Sequence, residues 1–112
     1  TIGFTLFARK VFELFRQYMQ QPAMIRLIIL VLRQTSQTFT RNNVHQVLED
    51  LGYDTTHPVR ALERLQQALA DLQQDGLITQ YQVEDEKGRL VVSRNRQWHL
   101  EPARGTPERG AA

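Results

Sequence analysis

The sequence predicts a mainly α-helical α+β domain with one small β-hairpin. Between residues 4 and 76, apolar side chains recur at steps of three and four, the spacing of amphipathic helices. After Gly76, the segment Leu77–Val83 alternates between residues that suit the two faces of a half-buried strand. Leu90–Ser93 continues the hairpin beyond the turn Asp85–Gly88. Helices followed by a single hairpin therefore define the predicted fold class.

The first two predicted helices are rich in apolar residues. The segment Phe4–Gln20 is amphipathic, and the next helix, Ala23–Gln34, begins near Pro22 and is apolar nearly all round. A helix of that kind must be covered on several sides, either by the rest of its own chain or by a second copy. We expect residues 1–20 to be an N-terminal amphipathic helix and a candidate dimerisation element. A homodimer through the N-terminal helices is the expected assembly.

A third helix is predicted over Arg41–Leu51, after a polar linker. Phe39 suits either a short strand or a hydrophobic staple, and Thr40 is the expected N-cap. Gly52 suits the position immediately after the helix, where a left-handed backbone is common.

A fourth helix is predicted from Pro58 to Gly76, with Thr55 or Thr56 as its cap. Its apolar positions follow a helical stripe, which we expect to face the core. The stripe consists of Val59, Leu62, Leu65, Leu69 and Leu72. After the hairpin, Trp98 and Leu100 are expected to return to the core or to extend the sheet.

Length and composition limit the class of protein. A chain of 112 residues that is 41% hydrophobic and 23% charged is expected to form one globular domain. We place its compact part at residues 21–102, and we expect residues 103–112, with their glycines and proline, to be a flexible tail. The sequence begins at Thr1 without methionine, which indicates processing or a fragment of a longer protein.

The chain contains no cysteine, which excludes disulfides, thiolate zinc sites and cysteine nucleophiles. This is compatible with a cytoplasmic protein, or one associated with the nucleoid or nucleus. The apolar run Leu27–Leu32 is far shorter than the ~20 residues that cross a bilayer, so no membrane contact is expected. The net charge of +2 is a weak indication of a nucleic-acid partner, although positive charge is concentrated between Lys87 and Arg109.

The segments Thr40–Gly52, Thr56–Gly76 and Leu77–Ser93 together resemble the winged-helix superfamily of DNA-binding domains. The resemblance implies a winged helix-turn-helix with extra N-terminal helices, and double-stranded DNA as the partner. It implies that one helix enters a groove while the hairpin contacts the neighbouring backbone. Members of the superfamily include transcriptional regulators, plasmid replication initiators and subunits of chromosome-organising complexes. The residues here do not select among them.

The polar face of the fourth helix is the first candidate DNA contact. Arg60, Arg64 and Gln67 share one stripe, and these residue types can pair with guanine and adenine in the major groove. His57 lies at the helix start, where phosphate contacts are common. The alternative is an ordinary solvated surface, and the nearby Glu63 counts against a purely electrostatic site.

The hairpin and the start of the third helix are the other candidates. Lys87 and Arg89 flank the Gly88 turn, and further arginines follow, so this surface could bind phosphates or could be charged for solubility alone. Asn43 and its neighbours could approach the DNA backbone or could be capping residues. The complete set of predicted DNA contacts is Arg41, Asn43, His57, Arg60, Arg64, Gln67, Lys87, Arg89, Arg94 and Arg96.

No pattern in the chain predicts catalysis. His45, His57 and His99 lack the spacing of metal ligands, and no Gly-rich phosphate loop or nucleophile elbow is present in the sequence. We therefore expect no enzyme activity, no cofactor and no metal. The alternative function is a winged-helix module for protein–protein contact, or an accessory domain of a larger complex. The acidic residues Glu63 and Asp71 favour that alternative, whereas the arginines favour DNA.

Overall fold

The computed structural model describes residues 2–84 and 88–98. Within these ranges the chain forms an α+β fold of four helices and one three-stranded antiparallel sheet, so the α+β class is confirmed and the sheet has one strand more than the predicted hairpin. In chain order the elements are α1 (Ile2–Gln17), α2 (Pro22–Arg33), β1 (Thr38–Arg41), α3 (Val44–Leu51), α4 (Pro58–Asp75), β2 (Ile78–Glu84) and β3 (Arg89–Arg94).

Strand β3 lies in the middle of the sheet, whose order is β1-β3-β2. Phe39 of β1 and Tyr81 of β2 both pair with Val92, so the short strand at Phe39 is confirmed and completes the sheet. The fully buried Leu90 and Val92 mark the inner face of the sheet. None of the helices in the described ranges combines the length and the apolar composition that crossing a bilayer requires.

Helix α3 begins three residues later than predicted. The chain around Thr40 and Arg41 pairs with β3 and is therefore a strand, so the predicted cap at Thr40 is wrong. Asn43 is the N-cap instead, because its Oδ1 accepts a hydrogen bond from the backbone nitrogen of Gln46 at 3.1 Å. Capping was one of the two interpretations open for Asn43.

The backbone at the end of α3 favours glycine. Gly52 has φ of +90°, a left-handed conformation that a side chain disfavours. A Cβ at this position would also displace Nη1 of Arg26, which lies 2.2 Å from where that Cβ would be. That guanidinium donates to the carbonyl oxygen of Leu51 at 3.2 Å and so satisfies the end of the helix.

Helix α4 starts at Pro58, as predicted, but no threonine caps it. His57 is the N-cap residue, and Asp54 instead accepts hydrogen bonds from the backbone and hydroxyl of Thr56, which stabilises the preceding turn. Val59 was placed on the core stripe, and this is wrong, because 71% of it is exposed. Ala61, two residues later, is instead the first buried residue of α4.

The core is built around α2. Leu27, Ile28 and Val31 are fully buried, so the covering that this apolar helix needs comes from its own chain. Around them lie other fully buried side chains, among them Leu65, Leu69, Leu72, Leu77, Ile78, Leu90 and Val92. Ile29 is the large apolar residue that α2 leaves exposed in the described structure, at 40%.

Helix α1 packs on the same core. Leu14 and Tyr18 are buried, and the Tyr18 hydroxyl lies 2.5 Å from Oδ2 of Asp75 at the end of α4. The Phe7 ring contacts Trp98 edge to face, with 6.2 Å between centroids, and Lys10 donates to the Trp98 carbonyl. The predicted return of Trp98 to the core is therefore confirmed, whereas Leu100 and the predicted tail at 103–112 lie outside the described residues.

Candidate nucleic-acid interface

The exposed side of α4 carries the predicted polar stripe. Arg60, Arg64 and Gln67 are all exposed, while Leu65 and Leu69 point into the core from the opposite side of the helix. Because each residue adds about 1.5 Å along a helix, the stripe extends over ~10 Å. It presents two guanidinium groups and one amide on a rigid, single helix.

The first turn of α4 forms a shallow cleft at the end of this stripe. His57, Val59 and Arg60 line it together with Glu63, and all four residues are exposed. His57 makes no side-chain cap bond, so the first-turn amides of α4 receive no partner from it. The amides at a helix start carry partial positive charge and favour an anion. The exposed Val59 adds an apolar group to an otherwise polar surface.

Acidic neighbours reduce the positive character of the stripe. Gln67 donates its amide to Asp71 at 3.0 Å, and Arg64 lies in the electrostatic field of Asp54. Hydrogen bonds from Thr56 are the main cause of the lowered Asp54 pKa, with smaller contributions from His57 and Arg64. The carboxylate at residue 54 is therefore charged at neutral pH. The stripe therefore combines hydrogen-bond donors with flanking carboxylates, which weaken its attraction for phosphate.

One of the predicted hairpin cations, Arg89, is paired within the fold. Glu84 and Arg89 are paired in the strand register, and Arg89 Nη2 lies 2.8 Å from Glu84 Oε1. Lys87 lies outside the described residues. The carbonyl of Gly88 accepts from the backbone nitrogen of Val44 at 2.7 Å, which holds the hairpin turn against the start of α3. The hairpin and α3 therefore form one continuous edge.

Arg94 and Arg96 lie away from that edge, so the predicted basic hairpin surface is divided. Strand β3 separates Arg89 from Arg94 by about 17 Å at ~3.3 Å per residue. Arg94 Nη1 donates to the carbonyls of Leu32 and Gln34 at 3.5 and 2.7 Å, at the end of α2. Burial lowers the Arg94 pKa, and its Nε is buried without a hydrogen-bond partner in the described ranges. Arg94 therefore acts as a cap for α2.

Arg41 lies in β1 and its guanidinium packs 5.2 Å from the centre of the Phe39 ring. It belongs to the inner side of the sheet, where it faces a groove between α2 and α3 rather than the exposed stripe of α4. Sequence reasoning missed Arg26 and Arg33, which line the same groove. Their seven-residue spacing places both on one face of α2, and that spacing could have indicated them.

Within the described ranges, no group of three or more histidine or acidic side chains is arranged to hold a metal ion. His45 instead lies 3.1 Å from Glu49 on the exposed side of α3, and His57 stands at the start of α4. His99 lies outside the described residues.

Comparisons with known proteins returned no relative. No protein-family model matches the chain, and no curated protein or solved structure is significantly similar to it. The function proposed below therefore has its support in the geometry of the described residues.

Proposed function

We propose that this chain is a winged helix-turn-helix domain that binds double-stranded DNA through α4. The observation that carries the proposal is the exposed stripe of Arg60, Arg64 and Gln67. The element order from α2 to β3 and the sheet order β1-β3-β2 are compatible with this fold. In that arrangement α4 is the helix that enters the major groove, and the β2–β3 hairpin lies beside it.

The residue types on α4 suit the edges of base pairs. Arginine can donate two hydrogen bonds to guanine, and glutamine can pair with adenine. The major groove is about 12 Å wide and admits a helix. The stripe therefore supplies sequence readout, while His57 and the first-turn amides of α4 contact phosphate. Asn43 at the start of α3 and Lys87 in the hairpin contact the adjacent backbone.

The electrostatic part of the affinity is expected to be modest. Arg89 is paired with Glu84, and Arg94 is bonded to the end of α2, so neither guanidinium is fully available to phosphate. If about three cationic groups contact phosphate, the logarithm of the affinity should fall with the logarithm of salt with a slope near −3. A strongly basic domain would give a steeper slope.

Fluorescence anisotropy with a random-sequence duplex, titrated with salt, tests the proposal. Binding at low salt with a slope of about −3 supports it. Replacing Arg60 and Arg64 together should remove most of the binding, whereas replacing the equally exposed Arg9 by alanine should not, because Arg9 belongs to α1 and not to the α4 stripe. Absence of binding at low salt, or equal affinity in both variants, would contradict the proposal.

The second candidate function is a protein-interaction module, and the ion pair between Glu84 and Arg89 favours it. Asp54 and Asp71 beside the α4 stripe also favour a protein-interaction module over DNA binding, because carboxylates repel phosphate. Domains of this kind bind a partner protein and leave duplex DNA unbound. The same anisotropy experiment separates the two functions.

The homodimer remains a proposal, and we now place its contact surface on α1 and the turn after it. Helix α2 is covered by its own chain, but Phe12 of α1 and Met19 in the turn after α1 are 61% and 68% exposed. These two side chains are the apolar surface that a partner copy would cover. Sedimentation equilibrium should detect a dimer that Phe12→Ser and Met19→Ser weaken together. A wild-type monomer at micromolar concentration would contradict it.

A further inference from the structure

A groove of about 610 Å³ runs between α2 and α3, and Arg26 at one end of it also lines a neighbouring cleft with Arg64 and Gln67 of α4. Its walls are antiparallel, because Arg26 near the start of α2 contacts the end of α3 at Leu51. Ile29, Leu30 and Val47 supply its apolar surface. The volume lies in the range of sites that bind ligands and partner side chains, about 300–1,000 Å³.

We propose that this groove binds an acidic amphipathic segment of a partner protein. The inference does not require DNA binding by α4, and it adds a second interaction surface that shares Asn43 with the proposed DNA contacts. Three features carry it, namely the number of arginines in the groove, their spacing and the apolar residues between them.

Arginines dominate the charge of the groove. Arg26, Arg33 and Arg41 line it, and Asp50 is the one carboxylate that lines it in the described structure. The Asp50 carboxylate also accepts a hydrogen bond from Gln46 at 2.9 Å. Arg26 and Arg33 are exposed and form no ion pair within the described ranges, although Arg26 also donates to the Leu51 carbonyl. The groove is therefore complementary to a negatively charged ligand.

The spacing of the arginines indicates an extended ligand. Arg26 and Arg33 are two helical turns apart, which corresponds to about 10 Å along α2. Arg41 lies three residues before the start of α3, at the opposite end of that helix from Arg26. One carboxylate or phosphate cannot reach both ends. Two carboxylates two turns apart on a partner helix have the matching separation.

The apolar surface between the charges favours a peptide over nucleic acid. Ile29 is 40% exposed and lies between Arg26 and Arg33 on the same side of α2. An amphipathic helix of a partner would cover Ile29 with apolar side chains of that partner, as in helix-in-groove complexes. A DNA backbone would leave it in contact with charged phosphate. The ligand is therefore expected to carry acidic residues on both sides of an apolar one.

A designed probe tests the proposal with the whole chain. The probe is a fluorescein-labelled helical peptide with leucines on one face and a glutamate on either side, seven residues apart. A control peptide carries glutamines in place of the glutamates. The acidic peptide should bind about tenfold more tightly than the control, and added salt should reduce the difference.

Variants locate the binding to the groove. Arg33→Glu should lower the affinity for the acidic peptide about tenfold. A peptide with lysines in place of the glutamates should bind this variant more tightly than the acidic peptide does. Asp50→Asn should strengthen binding, because it removes the opposing carboxylate. Arg9→Glu is the matched control on α1, and thermal unfolding verifies that each variant is folded. Arg33→Gln replaces Arg33→Glu if the latter unfolds.

Three results would overturn the inference. One is equal affinity for the acidic and glutamine peptides. Another is unchanged binding of the acidic peptide in both Arg33 variants. The last is a loss of duplex DNA affinity in Arg33→Glu as large as its loss of peptide affinity, which would assign the groove to nucleic acid instead.

Discussion

Helix α4 and strand β3 each carry two arginines, and the fold holds the two pairs differently. Arg60 and Arg64 extend from the exposed side of α4, and no hydrogen bond in the described structure engages their guanidinium groups. Arg89 and Arg94 of β3 are half-buried, and each donates within the fold, to Glu84 and to the end of α2 respectively. Charge on a helix stripe is thus available to a ligand, whereas charge on this central strand is used internally.

The difference has a geometric cause. A surface helix turns its polar stripe away from the core, so long side chains there meet solvent. A central strand has neighbours on both sides, and its side chains meet cross-strand partners at about 5 Å. The register places Glu84 opposite Arg89, and the end of β3 brings Arg94 beside the last carbonyls of α2. A positive residue is therefore a better candidate contact on α4 than on β3.

The largest expected effect concerns α4. Each of the single variants Arg60→Ala and Arg64→Ala should weaken DNA binding by about 1–3 kcal/mol, because each loses one contact to a base edge. The free energy of unfolding should hardly change, since both side chains are exposed. Anisotropy and urea unfolding measure the two quantities. Wild-type affinity in both variants would remove α4 from the interface.

The next effect concerns Arg94 and is on stability. Arg94→Ala should lower the free energy of unfolding by about 1–2 kcal/mol, because carbonyls at the end of α2 lose their donor. DNA affinity should stay near the wild-type value. Arg96→Ala is the matched control, since Arg96 is exposed in the turn after β3. Equal stability of the two variants in urea unfolding would show that the cap contributes nothing.

A smaller effect is expected from the hairpin. Replacing Lys87 and Arg89 together by alanine should lower affinity similarly for every DNA sequence and flatten the salt slope by ~1. We do not expect the salt slope to change by about 2, because Arg89 is already paired with Glu84 and contributes little to phosphate binding. Salt titrations on two unrelated duplexes measure this. A loss restricted to one duplex would mean that the hairpin contacts bases.

The smallest effect concerns the acid beside the α4 stripe. Asp54→Asn should raise DNA affinity by about twofold, because it removes a charge that opposes phosphate at an exposed site. The asparagine oxygen can still accept the hydrogen bonds from Thr56, so the turn before α4 should persist. Anisotropy at low salt is the measurement. Weaker binding would indicate that the carboxylate positions Arg64 for contact.

Sequence periodicity predicted the helices and the hairpin because local spacing encodes them. It misplaced their starts where tertiary pairing intervened, as at Thr40 and Arg41, which join β3 instead of opening α3. The spacing of Arg60, Arg64 and Gln67 also predicted an exposed stripe, which the structure contains. Val59 was misassigned because helical spacing does not show at which residue a helix extends beyond the core.

By itself, the sequence determined the α+β class, the two glycine helix ends at Gly52 and Gly76, and the polar stripe of α4. Each depends on residues within a few turns of one another. Only the tertiary structure decided that α2 is covered by its own chain, that Arg94 caps α2, and that Arg26 and Arg41 share a groove. Those contacts join residues distant in sequence, and local patterns of charge and hydrophobicity carry no information about such distances.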